Sequence, residues 1–286
     1  MIYTQKKQII FQLIPNLYIK EDTYHLTGEL SYLKFPDKFY GIGRDTPEKM
    51  EENYTSQIKK VSFYLQKKVL SRFYLGIQYK FESDNIIETE EGKELEKGEI
   101  LGSKGGLASG VGILINLDSR DNIFSTRKGS FYQLSLIAFS HFLGSEYSFK
   151  ECNLDLRKFL PLFHSHVLAF QGYLNIIKGE PPFQLLSLLG GQNIMRGYYR
   201  GRYRDKNMIA FQVEYRMPLI WRLSTVGFLG LGDVSEKFDD LKINFKYSFG
   251  WGIRYLLNKE EGINLRLDFG YGENSSDIYI TINEAF

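Results

Sequence analysis

Long stretches of this chain alternate between apolar and polar side chains, and several of the polar positions carry full charges. In residues 262–272, Ile263, Leu265, Leu267, Phe269 and Tyr271 interleave with Asn264, Arg266, Asp268 and Gly270. Residues 246–255 set Tyr247, Phe249, Trp251, Ile253 and Tyr255 against Lys246, Ser248, Gly250, Gly252 and Arg254. Residues 208–217 set Phe211, Val213, Tyr215 and Met217 against Gln212, Glu214 and Arg216. A period of two sends successive side chains to opposite faces of a sheet. A soluble sandwich alternates too, but its strands run about 5–6 residues. These run about 10 or more, the length that crosses a bilayer at a tilt. The chain therefore reads as all-β, a transmembrane antiparallel β-barrel.

Composition agrees. The chain holds 20 Tyr and 22 Phe against 7 Pro, an aromatic enrichment that suits a pleated surface. No apolar run approaches the ~18 residues of a transmembrane helix. A formal net charge of +2 gives nucleic-acid binding no electrostatic support. The lone cysteine, Cys152, excludes an internal disulfide framework and a cysteine-based zinc site. No cofactor is called for.

Turn chemistry divides the chain into thirteen strands: 6–18, 23–35, 55–68, 72–82, 107–118, 129–140, 147–160, 165–177, 207–218, 223–234, 245–257, 262–272 and 276–286. Tight connections at 19–22, 69–71, 161–164, 219–222 and 258–261 alternate with longer ones, among them 36–54, 83–106, 178–206 and 235–244. Short turns on one side and long loops on the other mark an outer-membrane barrel. The loop at 83–106 gathers Glu88, Glu90, Glu91, Glu94, Glu96 and Glu99. Calcium is one reading of it, but a solvated charge run is preferred. At the other end, Phe286 closes the chain with Ile278, Ile280 and Ile282 at two-residue spacing on the same expected face. A terminal aromatic strand of this kind resembles the signal by which outer-membrane barrels are recognised for assembly.

The loop at 178–206 contains Gly190-Gly191-Gln192-Asn193-Ile194-Met195-Arg196-Gly197-Tyr198. This resembles the glycine-pair and Arg-Gly-aromatic signature of the BamA/TamA family, the bacterial surface antigens. Asp118-Ser119-Arg120-Asp121-Asn122 with Gly129 resembles the family's turn upstream of that loop, and Tyr40-Gly41-Ile42-Gly43 an outer-loop motif of its short members.

The resemblance implies a barrel that inserts proteins into the outer membrane or translocates them across it. Its partners would be the lipid bilayer, unfolded outer-membrane or secreted proteins, and periplasmic assembly factors. It further implies a loop lock, in which Arg196, flanked by Gly197 and Tyr198, enters the lumen and meets Glu214, Asp233 or both. A guanidinium in a confined lumen must be paired, and its planar fork grips carboxylates as Lys cannot. Gly190 and Gly191 would let the backbone pass close to the wall. The competing reading makes Arg196 one cation of an exposed basic loop with Arg200, Arg202 and Arg204.

Such barrels resemble cylinders of about sixteen strands, and single-chain bacterial barrels carry even numbers. Five strands follow the signature loop here and eight precede it, where eleven are expected, so the first three strands and any POTRA domains before them are expected to be missing. The opening run Met1 to Phe11 also lacks the apolar stretch and cleavage site of a signal peptide. No catalytic residue is expected. His25, His141, His164 and His166 fall in no recognisable catalytic motif, and no Gly-x-Ser-x-Gly elbow occurs. Two rivals stay open: a barrel that anchors or translocates an upstream enzyme domain such as a lipase, and a passive porin.

Overall fold

The computed structural model describes residues 2–3, 8–20, 23–241 and 244–286. Residues 6–7 of the first expected strand, 21–22 of the first tight turn and 242–243 of the last long loop lie outside the described residues. So do residues 1 and 4–7 of the opening run.

The main strands are β1 (Ile2–Tyr3), β2 (Ile9–Leu13), β3 (Asn16–Ile19), β4 (Tyr24–Phe39), β5 (Glu52–Leu70), β6 (Phe73–Thr89), β7 (Gly105–Asp118), β8 (Gly129–Phe139), β9 (Phe149–Pro161) and β10 (Val167–Gly179). Two short strands follow, β11 (Ser187–Leu189) and β12 (Tyr203–Asp205). The chain then runs through β13 (Asn207–Pro218), β14 (Leu223–Ser235), β15 (Lys246–Asn258), β16 (Ile263–Gly272) and β17 (Ser275–Ile282). All but β11 and β12 join one large antiparallel sheet in chain order, β3 pairing with β4 beside β2, and β11 pairs with β12 separately. Chain-order neighbours are what hairpin connections produce.

Several expected boundaries differ. β4 runs on to Phe39 and β5 opens at Glu52, which shortens the expected loop at 36–54. The first strand breaks into β2 and β3 at Ile14–Pro15, because proline has no N–H for the ladder. The Pro15 carbonyl instead accepts the Gly28 N–H at 3.0 Å. Residues 83–89 continue β6 rather than opening a loop, and Glu94–Lys97 beyond them form a short helix, α1. The last strand stops at Ile282, where Asn283 takes a φ of +69°. That left-handed residue ends the period of two, so the expected strand over 276–286 is four residues shorter.

The chain divides into two compact units. Unit 1 comprises residues 1–116, 134–153 and 176–186. Within it the long β5–β6 hairpin pairs from Tyr54 with Thr89 down to Leu70 with Phe73. Leu95 of α1 tucks into a buried cluster with Phe39, Tyr54, Phe183 and Leu186, and Glu52 accepts the Leu95 N–H at 3.2 Å.

Unit 2 comprises residues 117–133, 154–175 and 187–286. Its strands β13 to β17 show the alternation sharply. Phe211, Tyr215, Tyr247, Phe249, Trp251 and Leu265 are exposed on the outer face. Gln212, Glu214, Arg216, Ser248, Arg254, Arg266 and Asp268 are buried on the inner face. Outer-face aromatics meet across the ladder: Trp251 stacks on its partner Phe269 at 4.7 Å and Phe249 on Tyr271 at 5.7 Å. Such cross-strand pairs fix register, because a one-residue slip would turn every apolar side chain inward.

Candidate functional site

The buried charges of unit 2 collect under the segment that carries the glycine-pair motif. β11 and β12 form the stem of a hairpin, with Ser187 opposite Asp205 and Leu189 opposite Tyr203. Residues 190–202 make its tip. Leu189, Met195, Tyr198 and Tyr203 from this hairpin pack with Met208, Ala210 and Val234 of β13 and β14. The hairpin therefore lies on the inner face of the sheet, covering it.

Arg196 is fully buried there. It donates through Nη2 to Glu214 Oε1 at 2.5 Å and through Nη1 to Asp268 Oδ2 at 2.6 Å. Its guanidinium lies 3.6 Å from the centre of the Phe228 ring, a cation–π contact in a water-poor setting. Glu214 and Asp268 stand on β13 and β16, three ladder steps apart, or about 14 Å at the usual strand spacing. Arg196 bridges them across strands whose floor has been cleared. A Cβ on Gly252 would lie 2.0 Å from Asp268 Oδ1, and one on Gly250 would lie 2.4 Å from the Phe228 ring.

Each carboxylate has a second cation. Glu214 also accepts from Arg216 Nε at 2.9 Å, and Asp268 from Arg254 Nη1 at 2.5 Å. Arg254 continues to Glu284 at 2.7 Å. Arg266 donates to Thr281 at 2.7 Å and to the Gln192 carbonyl at 3.0 Å. Charges this deeply buried persist only when paired and hydrogen-bonded.

The loop backbone is held as closely as its arginine. Gln212 accepts the Met195 N–H at 2.9 Å and donates to the Asn193 carbonyl at 2.9 Å. The Tyr279 hydroxyl accepts from Gly197 N at 3.0 Å and donates to the Tyr198 carbonyl at 3.2 Å. Tyr198 sends its own hydroxyl to the Tyr247 carbonyl at 2.8 Å. Gly197, with φ of +113°, sits so near β16 that a Cβ there would be 2.5 Å from the Tyr271 carbonyl carbon. Opposite it, a Cβ on Gly270 would lie 2.6 Å from Gly197 N. Gly190 and Gly191 also have positive φ, and a Cβ on Gly190 would meet the Tyr199 carbonyl oxygen at 2.2 Å.

The expected site is thus assembled in part. Arg196, Gly197, Tyr198, Glu214, Gly190 and Gly191 come together. Asp233 does not join them: of the two expected carboxylates Arg196 takes Glu214, and its second partner is Asp268. The register pairs Asp233 with Ile209, whereas Glu214 pairs with Phe228. By register Asp233 has the parity of Leu229 and Leu231, opposite to that of Glu214, yet at 1% exposed it is buried where the alternation of burial has ended, and its carboxylate accepts the Val234 N–H at 2.9 Å. Asp268 shows in the alternation of 262–272 as an inward carboxylate, and parity was the signal that could have nominated it. Gln212, Phe228, Tyr279 and the inner-face glycines carry no comparable signal. Of the neighbouring arginines, Arg200 is exposed while Arg202 and Arg204 are buried, so the loop is not a uniformly exposed basic strip.

Phe286 is also placed differently. Ile278, Ile280 and Ile282 are exposed at 60%, 72% and 61%, but Phe286 is only 6% exposed. The turn at Asn283 carries the last residues inward, where Phe286 packs with Phe159, Val167, Ala169 and Ala285. Arg216 donates to its carbonyl at 2.9 Å. Phe286 consequently does not share the isoleucine face. The upstream turn is compact: Arg120 grips Asp118 at 2.7–3.0 Å, and Asp121 accepts the Arg127 N–H at 2.9 Å.

Residues 8–286 match the Omp85 superfamily domain. No curated protein matches the chain in sequence. Among solved structures, the chain is similar to BamA from Haemophilus ducreyi lacking POTRA domains 1–3, with a TM-score of 0.63 and 16% identity over 96% of this chain and 60% of that one. It is also similar to CdiB from Acinetobacter baumannii, with a TM-score of 0.61 and 11% identity over 97% of this chain and 50% of that one. The likeness is one of fold, and the chain spans only about half to three-fifths of those proteins.

Proposed function

The chain belongs to the Omp85 superfamily, and on that premise we propose that it forms the membrane part of a machine that inserts proteins into the outer membrane or passes them across it. It is an outer-membrane β-barrel. The observation that carries the reading is the buried Arg196 bridge between Glu214 and Asp268. A passive pore has no need of a loop so fully desolvated and tied through one arginine to two buried carboxylates. Arg196 acts as the lock that keeps the signature hairpin against the inner wall, with Gly197 and Tyr198 seating the backbone.

The substrate is an unfolded outer-membrane or secreted protein, and periplasmic assembly factors deliver it. β17 ends the strand order, with β16 its one strand partner among the described residues. An unpaired strand edge is a template for a further strand, and β-augmentation supplies both affinity and direction. The exposed isoleucines of β17 then face lipid while its edge receives the incoming chain.

The test is a disulfide trap in the full-length protein. With Cys152→Ser removing the native thiol, Ile280→Cys is expected to crosslink to a cysteine in the last strand of a stalled outer-membrane substrate. Normal substrate assembly with no crosslink from any β17 position would remove β17 from the pathway.

A further inference from the structure

In unit 1 the outer faces of β7, β8, β9 and β10 enclose a groove of about 600 Å³. Its apolar walls include Val111, Ile113, Leu136 and Ile176, with the smaller Ala138 and Cys152 between them. Small side chains flanked by large ones leave a channel on a surface that faces acyl chains. Lys150 and Lys178 line the same groove. Lys150 is the second residue of β9 and Lys178 the last but one of β10. A Cβ on Gly179 would lie 2.9 Å from Phe149 Cα, so in this hairpin Lys178 comes opposite Lys150.

Both lysines are exposed, and neither side chain makes an ion pair or hydrogen bond among the described residues. Glu151, also on the groove, turns to Lys80 at 3.7 Å. Two like charges facing each other across a ladder repel, and beside a low-dielectric wall their repulsion is poorly screened. Lysines at the ends of membrane strands extend their heads to the headgroup level while their stems stay in apolar surroundings. The arrangement is therefore an anion site at the interface, above a slot for hydrocarbon.

We propose that this groove binds one anionic phospholipid, its phosphate between Lys150 and Lys178 and an acyl chain along Ala138 and Cys152. Cys152, the only cysteine of the chain, reports on occupancy because the bound chain would cover it.

The experiment follows alkylation of Cys152 by N-ethylmaleimide in the folded, detergent-solubilised protein. Phosphatidylglycerol is expected to slow alkylation, while phosphatidylcholine and inorganic phosphate at equal concentration do not. Lys150→Gln or Lys178→Gln is expected to raise the phosphatidylglycerol concentration for half-protection about fivefold each, the weight of one lysine near an anionic surface. Replacing both by Arg is expected to keep protection, and heat-modifiable gel mobility identifies the variants that fold. Equal protection by phosphatidylcholine, protection by inorganic phosphate alone, or unchanged protection in the double Gln variant would each overturn the site.

Discussion

On the inner face of β5 and β6, Lys60 meets Glu82 at 2.8 Å with the two side chains 27% and 14% exposed. On the inner face of β13 to β16, Arg196 meets Glu214 and Asp268 at 2.5 and 2.6 Å with none of the three exposed at all. Both regions place charges inward by the same alternation. The difference is the hairpin laid over the second region, which strips water from charges that the first region leaves partly wet. Alternation makes a polar inner wall, then, and a covering loop turns part of that wall into a lock. The cost of breaking a pair should follow burial rather than distance.

The largest effect is expected at the lock. Arg196→Ala leaves two carboxylates buried with one cation fewer, and should cost about 3–5 kcal/mol in urea unfolding from lipid. Arg200→Ala, on the exposed side of the same loop, should change little. Lysine at 196 should rescue only in part, since it keeps charge and loses the fork. If Arg196→Ala and Arg200→Ala unfolded alike, the contrast between the two regions would collapse.

Next comes lipid exposure. Leu267→Arg on the outer face of β16 should cost about 2–4 kcal/mol if it sits near the bilayer midplane. Spin labels at Leu267 and Asp268 should report opposite accessibilities to oxygen and to a water-soluble relaxant. Equal values at both would abolish the distinction between faces.

A smaller change is expected at the loop's seat. Gly270→Ala places a methyl 2.6 Å from Gly197 N, an overpacking worth about 1–3 kcal/mol, and should speed trypsin cleavage within the loop. Gly227→Ala on the outer face of β14, where nothing lies within 4 Å, is the matched control. Equal cleavage rates in the two would mean that the loop does not need the glycine floor.

The smallest effect belongs to unit 1. Lys60→Gln should shift stability by about 1 kcal/mol or less, as partly exposed pairs do, and less still in high salt. A loss as large as that at Arg196 would show that burial is not what separates the regions.

The strands were legible because alternation is a local signal that needs no knowledge of neighbours, and each of the thirteen expected segments overlaps a strand among the described residues. What failed was local in another way. Pro15 and Asn283 interrupt strands through backbone geometry that the apolar pattern does not register. At the site, Arg196 and its glycines stood out through the resemblance of residues 190–198 to the family signature. Asp268 has the inward parity of 262–272, but that it rather than Asp233 is the second partner of Arg196 depends on where the folded loop meets β13 to β16, which alternation does not encode. The partners that seat the loop, Gln212 and Tyr279, are ordinary polar residues in sequence and acquire meaning only when the hairpin folds back.

The two tryptophans of the chain stand at different levels of one unit. Trp221 is 83% exposed at the connection between β13 and β14, while Trp251 stands within β15 on the outer face against Phe269. Their emission should divide into a wet, red-shifted component and a dry, blue-shifted one. Lipids brominated along the acyl chain should quench the second far more than the first. The protein thus carries its own depth gauge, and insertion can be timed without attaching a dye.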